Sequence, residues 1–181
     1  DIGVDDAGRF TDLESHNINT LVKLYPWEWL MEEEFGSHIP TSGVVFIEPP
    51  WKAILANKGL LPLLWGMFED HPNLLPSFFE DDSSVSTLID GGDYVRKPLL
   101  SRQGANIEIV KNTKTLFQSD GPYADELHIV QAFEPLPNFD DHYPLVGCWM
   151  VASKAVGLCI REDNTLVTSP LAKVLPHVIL D

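Results

Sequence analysis

Cysteine, positive charge and long apolar runs are all scarce in this chain. Only two of its 181 residues are cysteine, Cys148 and Cys159, too few for a disulfide framework and without the spacing of a zinc site. No apolar stretch approaches the ~18 residues that a membrane-spanning helix requires, and the first residues lack the basic and then apolar pattern of a secretion signal. The expected setting is therefore soluble and cytoplasmic. Twelve Lys and Arg stand against 27 Asp and Glu, a net charge of −15. A field of that sign repels phosphate backbones and anionic lipid surfaces, so neither nucleic acid nor membrane is an expected partner. It attracts cations such as polyamines or metal ions, and it also serves plain solubility. His16, His38, His71, His128, His142 and His177 show no ligand spacing and read as surface or internally satisfied residues. There is no internal repeat and no low-complexity tract.

What is present suffices for one sizeable core, with 44% hydrophobic and 10% aromatic residues, arranged as one domain or two tight lobes. The stretch DIGVDDAGRFTD at the start reads like the interior of a longer protein. YPWEWLMEEEFG predicts a short amphipathic helix from Pro26, with Trp27, Leu30, Met31 and Phe35 on one face and Gly36 to end it. Val44 to Ile47 read as a strand covered on both sides, and residues 51–76 as two short helices that meet near Lys58 because Gly59 and Pro62 interrupt the pattern. Trp27, Trp29, Trp51 and Trp65 are expected in the core. These elements make a helical lobe over residues 1–79. The acidic, Ser- and Gly-rich residues 80–93 are expected to form a mobile surface loop, and residues 94–181 a strand-rich lobe.

In that second part, Tyr94–Lys97 and Ala105–Lys111 predict two strands, with Asn112-Thr113 turning into a third at KTLFQ. LHIVQA adds a strand, residues 143–163 a hairpin, and VLPHVILD a last short strand. With Ser153-Lys154 as the hairpin turn, Cys148 would lie directly opposite Cys159 on one face, both reduced. The fold class is α+β with an antiparallel-rich sheet.

The scarce cations are not scattered evenly. Lys97 stands at the end of a strand, and behind it comes a loop with Ser101, Arg102, Gln103 and Gly104. An ammonium, a glycine that permits close backbone approach and further donors are one physical solution to holding a polyphosphate. An ordinary basic surface hairpin fits the local pattern as well, because KPLLSRQG lacks the lysine placement of a Walker loop. Combination gives the first reading its weight. Lys58 lies at a helix junction, VQAFEP can serve as an adenine-binding hinge, and Arg161 ends another strand.

Over nearly its whole length, in FTDLESHNINTLVKLYPWEWLMEEEF, EPPWKAILANKGLLPLLWGMFEDHPNLLPSFF, VRKPLLSRQGANIEIV, GPYADELHIVQAFEPLPNFDDHYPLVGCWMV and GLCIREDNTLVTSPLAKVLPHVI, the chain resembles the C-terminal part of the glutathionylspermidine synthase-like ATP-grasp ligases. It is most similar to the bacterial members without an amidase domain. The resemblance implies ATP contacts at Lys58, Lys97, Ser101, Arg102, Gln103 and Gly104, an adenine hinge at Gln131, Ala132, Phe133 and Glu134, and a further ATP strand at Leu166, Val167 and Thr168. It implies a catalytic Arg161 and an amine-substrate position at Lys173. The implied reaction is ATP-dependent amide formation between a small, peptide-like carboxylate and an amine or polyamine, through an acyl phosphate, with Mg²⁺ as cofactor. The family's acidic metal motif lies upstream of the stretch matched here, so no metal ligand is assigned in this chain and the isolated chain is expected to be inactive. Leu24 stands where the true synthetases place a small hydroxyl residue for glutathione. The competing expectation is a nucleotide-binding or interaction module without ligase activity.

Overall fold

The computed structural model describes residues 2–179. It divides into two compact units, Asp1–Asn57 and Lys58–Asp181, so that Lys58 and the helix after it go with the strand-rich unit. The expected α+β class holds: four sheets, three of them wholly antiparallel, accompany a few short helices. Among the described residues no helix is long and apolar enough to cross a membrane.

In the first unit, β1 (Gly3–Val4) pairs antiparallel with β2 (Phe10–Thr11). β3 (Thr20–Val22) pairs in parallel with β4 (Val45–Ile47), and α1 (Trp27–Glu32) lies between them in sequence. The buried cluster is Phe10, Trp27, Leu30 and Phe46, joined edge to face with ring centroids 6.1 Å apart for Phe10 and Phe46 and 5.1 Å for Trp27 and Phe46. β4 is not covered on both sides: Phe46 is buried while Val45 and Ile47 are exposed, the alternation of a strand with one packed face. Trp29 and Trp51 are exposed as well, and only Trp27 and Trp65 of the four named tryptophans reach a core. The helix stops at Glu33, before Gly36. Gly36 sits in the 3₁₀ turn Glu34–His38, its Cα pressed on the carbonyls of Leu30 and Met31 where no Cβ would fit.

The second unit begins as the sequence implies. α2 (Ala53–Ala56) closes the first unit and α3 (Leu60–Met67) opens the second, flanking Lys58. Pro62 falls in the first turn of α3, where the missing N–H costs nothing. β5 (Ser77–Phe79) follows. Residues 80–93, expected as a mobile loop, contain helical turns. The Asp82 carboxylate accepts the Ser84 N–H at 2.7 Å, starting a 3₁₀ turn that runs into α4 (Ser86–Gly91), and Gly92 at φ 78° ends it. β6 (Tyr94–Pro98), β7 (Glu108–Lys111), β8 (Lys114–Gln118) and β9 (His128–Ala132) complete a five-stranded antiparallel sheet in the order β5-β9-β6-β7-β8. Asn112 and Thr113, both at positive φ, make the expected two-residue turn.

β10 (Tyr143–Val151), β11 (Lys154–Asp163) and β12 (Lys173–Leu175) form a separate three-stranded sheet. The hairpin is present but its expected register is corrected. The turn is Ala152-Ser153, both left-handed, and a bulge lies between Trp149 and Met150. Cys148 therefore faces Leu158, and Cys159 faces Gly147. The two cysteines are on opposite faces, since a slip of one residue moves a side chain across the sheet. Both are free thiols.

Candidate functional site

Alternation along β6 and β9 builds the site. Val95 and Lys97 project to one face and Arg96 to the other. On the far face, Arg96 makes a two-pronged ion pair with Glu80 at 2.5 and 2.9 Å. On the near face, Lys97 Nζ donates to Gln131 Oε1 at 2.6 Å, and Gln131 Nε2 donates to Ser77 Oγ at 2.9 Å. Lys58 comes to the same place from the junction before α3. Its N–H donates to the Leu99 carbonyl at 2.9 Å, and its ammonium donates to the Ser101 carbonyl and to Ser101 Oγ, the latter at 3.0 Å. Burial, with the Lys58 charge adding to it, pulls Lys97 down to about 8 from the usual 10.5. Among the described residues no carboxylate pairs with Lys97. A chain with far more acids than bases has thus brought two lysines together on one sheet face.

The loop after β6 is shaped from three directions. Gln103, Gly104 and Asn106 all have positive φ. Ser119 Oγ donates to the Gly104 carbonyl at 2.6 Å and accepts the Ile107 N–H at 2.9 Å, and Asn106 Oδ1 accepts the Tyr123 N–H at 2.9 Å. Val167 closes the third side. A Cβ on Gly104 would come within 2.6 Å of Val167 Cγ1, so glycine is needed both for φ 76° and for space. Gly104→Ala is accordingly expected to destabilise the protein by about 1–2 kcal/mol, read as a lowered thermal midpoint; an unchanged midpoint would mean that the loop does not seat under Val167.

Leu166 and Val167 pack with Phe133 on the buried cluster Val95, Ile107 and Ile109. This brings the loop, the expected hinge and residues 166–168 to one region, although 166–168 are not the expected strand but irregular chain after β11, which ends at Asp163. Within the hinge, the N–H groups of Ala132 and Phe133 are taken by the carbonyls of Pro76 and Asp93 at 2.8 and 3.3 Å. Glu134 is exposed. Arg161 does not pair with its neighbours Glu162 and Asp163: its guanidinium donates to the Ser169 carbonyl at 2.8 Å. Lys173 lies elsewhere, exposed on β12 and opposite Glu162, beside a small polar cavity of about 150 Å³ that it lines with His142, Glu162 and Asp163. Among the described residues no three His, Cys, Asp or Glu side chains gather as a metal site.

Sequence reasoning missed Ser77, Asn106, Ser119 and Asp163. The two serines carry no local signal, because their partners are distant in sequence. Asp163 has one: Asp-Asn-Thr marks a turn held by an acidic side chain, and Asp163 accepts hydrogen bonds from the N–H and hydroxyl groups of both Thr165 and Ser169.

Compared with known proteins, residues 1–180 match the family model described as glutathionylspermidine synthase preATP-grasp. A Haemophilus influenzae protein named "Putative acid–amine ligase" is 40% identical over 184 residues, which cover 98% of this chain and 46% of that protein. The bifunctional glutathionylspermidine synthetase/amidase of Escherichia coli is 28% identical over 205 residues, 99% of this chain and 32% of the relative. Trypanothione synthetase of Crithidia fasciculata is 31% identical over 135 residues, 72% of this chain and 20% of the relative. The chain spans less than half the length of each of these relatives.

Proposed function

Because the chain belongs to the glutathionylspermidine synthase preATP-grasp family, we propose that it supplies the nucleotide-phosphate end of an ATP-dependent ligase joining a small, peptide-like carboxylate to an amine or polyamine. The observation that carries this reading is the convergence of Lys97, Lys58 and the Ser101–Gly104 loop on one sheet face. Two ammonium groups held together repel each other, and a polyanion placed between them turns that repulsion into attraction.

The proposed roles follow from where each group stands. Lys97 and Lys58 hold the nucleotide phosphates, and the loop of Ser101, Arg102, Gln103 and Gly104 lies over them. The hinge at Gln131–Glu134 receives the adenine, with the Glu134 N–H as donor, since those of Ala132 and Phe133 are engaged. Leu166, Val167 and Thr168 lie beside it, the first two as an apolar wall. A carboxylate of the acid substrate attacks the γ-phosphorus to give an acyl phosphate and ADP; the amine then adds at the acyl carbon and phosphate leaves, giving the amide. Arg161 stabilises the negative charge that develops, held in place through Ser169. Lys173 marks the amine side, near Glu162 and Asp163. Mg²⁺ would spread phosphoryl charge when bound; among the described residues no three His, Cys, Asp or Glu side chains gather to hold it.

The test supplies ATP, Mg²⁺ and a panel of small carboxylates with polyamines to the full-length protein, since this stretch alone is expected to be inactive, and follows phosphate release and amide formation. Turnover with one acid–amine pair, lost in Lys58→Met, is the expected result. ATP binding without phosphate release for any pair would favour a nucleotide-binding module instead, and no ATP binding at all would overturn the reading.

A further inference from the structure

Lys97 is long, flexible and repelled by Lys58, so something must keep its ammonium in place. We propose that Ser77 and Gln131 form a positioning relay for Lys97, in which the Ser77 hydroxyl decides which end of the Gln131 amide faces the lysine. The proposal rests on the phosphate-binding reading of Lys97 and assigns to Ser77 a role beyond packing.

The hydrogen bonds leave one arrangement open. The Ser77 hydroxyl has a single hydrogen and gives it to the Leu75 carbonyl at 2.9 Å. Towards Gln131 it can then only accept, so the amide must present Nε2 to it, at 2.9 Å. That leaves Oε1 for Lys97 Nζ, at 2.6 Å. Reversing the amide would set a carbonyl oxygen against the lone pairs of Ser77 and an NH₂ against an ammonium, two unfavourable contacts in place of two good ones. Both relay residues are deeply buried, Ser77 at 1% and Gln131 at 7% exposure, so water cannot readily repair such a fault. The sheet register makes the chain possible: Ser77 and Val95 both lie opposite Gln131, and Lys97, opposite Ile129, reaches Gln131 diagonally on the same face. The charge facing Lys97 is that of Lys58, so the amide oxygen opposes a repulsion that would otherwise push the ammonium away.

The relay is tested by following the Lys97 ¹³Cε resonance through a pH titration of the nucleotide-free protein, with ATP titrations in parallel. Ser77→Ala is expected to lower the Lys97 midpoint by about half a unit to one unit and to weaken ATP binding about fivefold, since one hydrogen bond's positioning is lost. Ser77→Thr, which keeps the hydroxyl, restores both. Gln131→Met gives the same kind of shift, and adding Ser77→Ala to it changes the midpoint no further, because the serine acts through the amide. An unchanged midpoint in Ser77→Ala, or independent shifts that add in the double variant, overturns the relay. Should the wild-type protein bind no ATP, the phosphate reading fails on that arm alone, while the resonance still decides the relay.

Discussion

Lys97→Met is expected to raise the melting temperature of the nucleotide-free protein and, in the same variant, to abolish ATP binding. The lysine is held at about 8 rather than 10.5. A depression of that size corresponds to a cost of about 3 kcal/mol for keeping the charged form at neutral pH. Methionine has a similar length and no charge, so it removes that cost. Against this, Gln131 Oε1 loses its donor, which costs about 1 kcal/mol. The net gain is about 2 kcal/mol, a rise of several degrees for a chain of this size. The sign of the pH dependence follows from the direction of the shift. Between about pH 8 and 10.5 the unfolded chain carries more protons at this position than the folded one, so wild-type stability gains with rising pH and the advantage of Lys97→Met shrinks through that window. Bound ATP draws the proton back, so wild-type affinity should fall above pH 8. A variant that melts below the wild type at pH 7 and still binds ATP would show that Lys97 is a structural lysine.

A lysine that costs the fold stability also stands out in the sequence, so part of the candidate site was legible there. A lysine placed on a strand face flanked by apolar residues breaks the local pattern, and the glycine seven residues later announces a loop that needs unusual backbone angles. The two helices around Lys58 were equally readable, because Gly59 and Pro62 punctuate the chain. Long-range serines were not: Ser77 meets Gln131 across 54 positions and Ser119 meets Gly104 across 15, and a hydroxyl looks the same in sequence whether it caps a loop or faces water. The β10–β11 register failed for a related reason. Ala152-Ser153 is not a strong turn signal, and the bulge, whose extra residue is Val156 on β11, left only the neighbouring Gly157 as a mark in the sequence. Residues 80–93 read as a loop from their composition, yet one aspartate as a cap and one glycine as a stop were enough to make helical turns there.

Asp163→Ala is expected to cost about 3 kcal/mol of stability and to remove most of any ligase turnover, although Asp163 touches no proposed substrate. Its carboxylate accepts from the Ser169 hydroxyl at 2.7 Å, the Ser169 N–H at 2.9 Å, the Thr165 N–H at 3.2 Å and the Thr165 hydroxyl at 3.3 Å. Hydrogen bonds to a charged group contribute about 1.5–3 kcal/mol each and do not add in full, which sets the size of the loss. These bonds close the segment that carries Leu166 and Val167 onto the sheet and aims the Ser169 carbonyl at Arg161. Releasing the segment frees Arg161 and uncovers Gly104 together, so one substitution disturbs the arginine and the proposed phosphate loop at once. Asp163→Asn keeps one acceptor but turns an amide NH₂ toward a donor, and should fall about halfway. The same bonds, led by the Ser169 hydroxyl, hold the Asp163 pKa below its usual 3.8. Its contribution is therefore complete above about pH 4 and is lost as pH falls through the folded-state value. Thermal melts should show a constant gap between wild type and Asp163→Ala from neutral pH down to about 4, closing below it. A gap that closes near pH 6 would assign the effect to another group. Melts that coincide at neutral pH would show that the segment holds itself without the carboxylate.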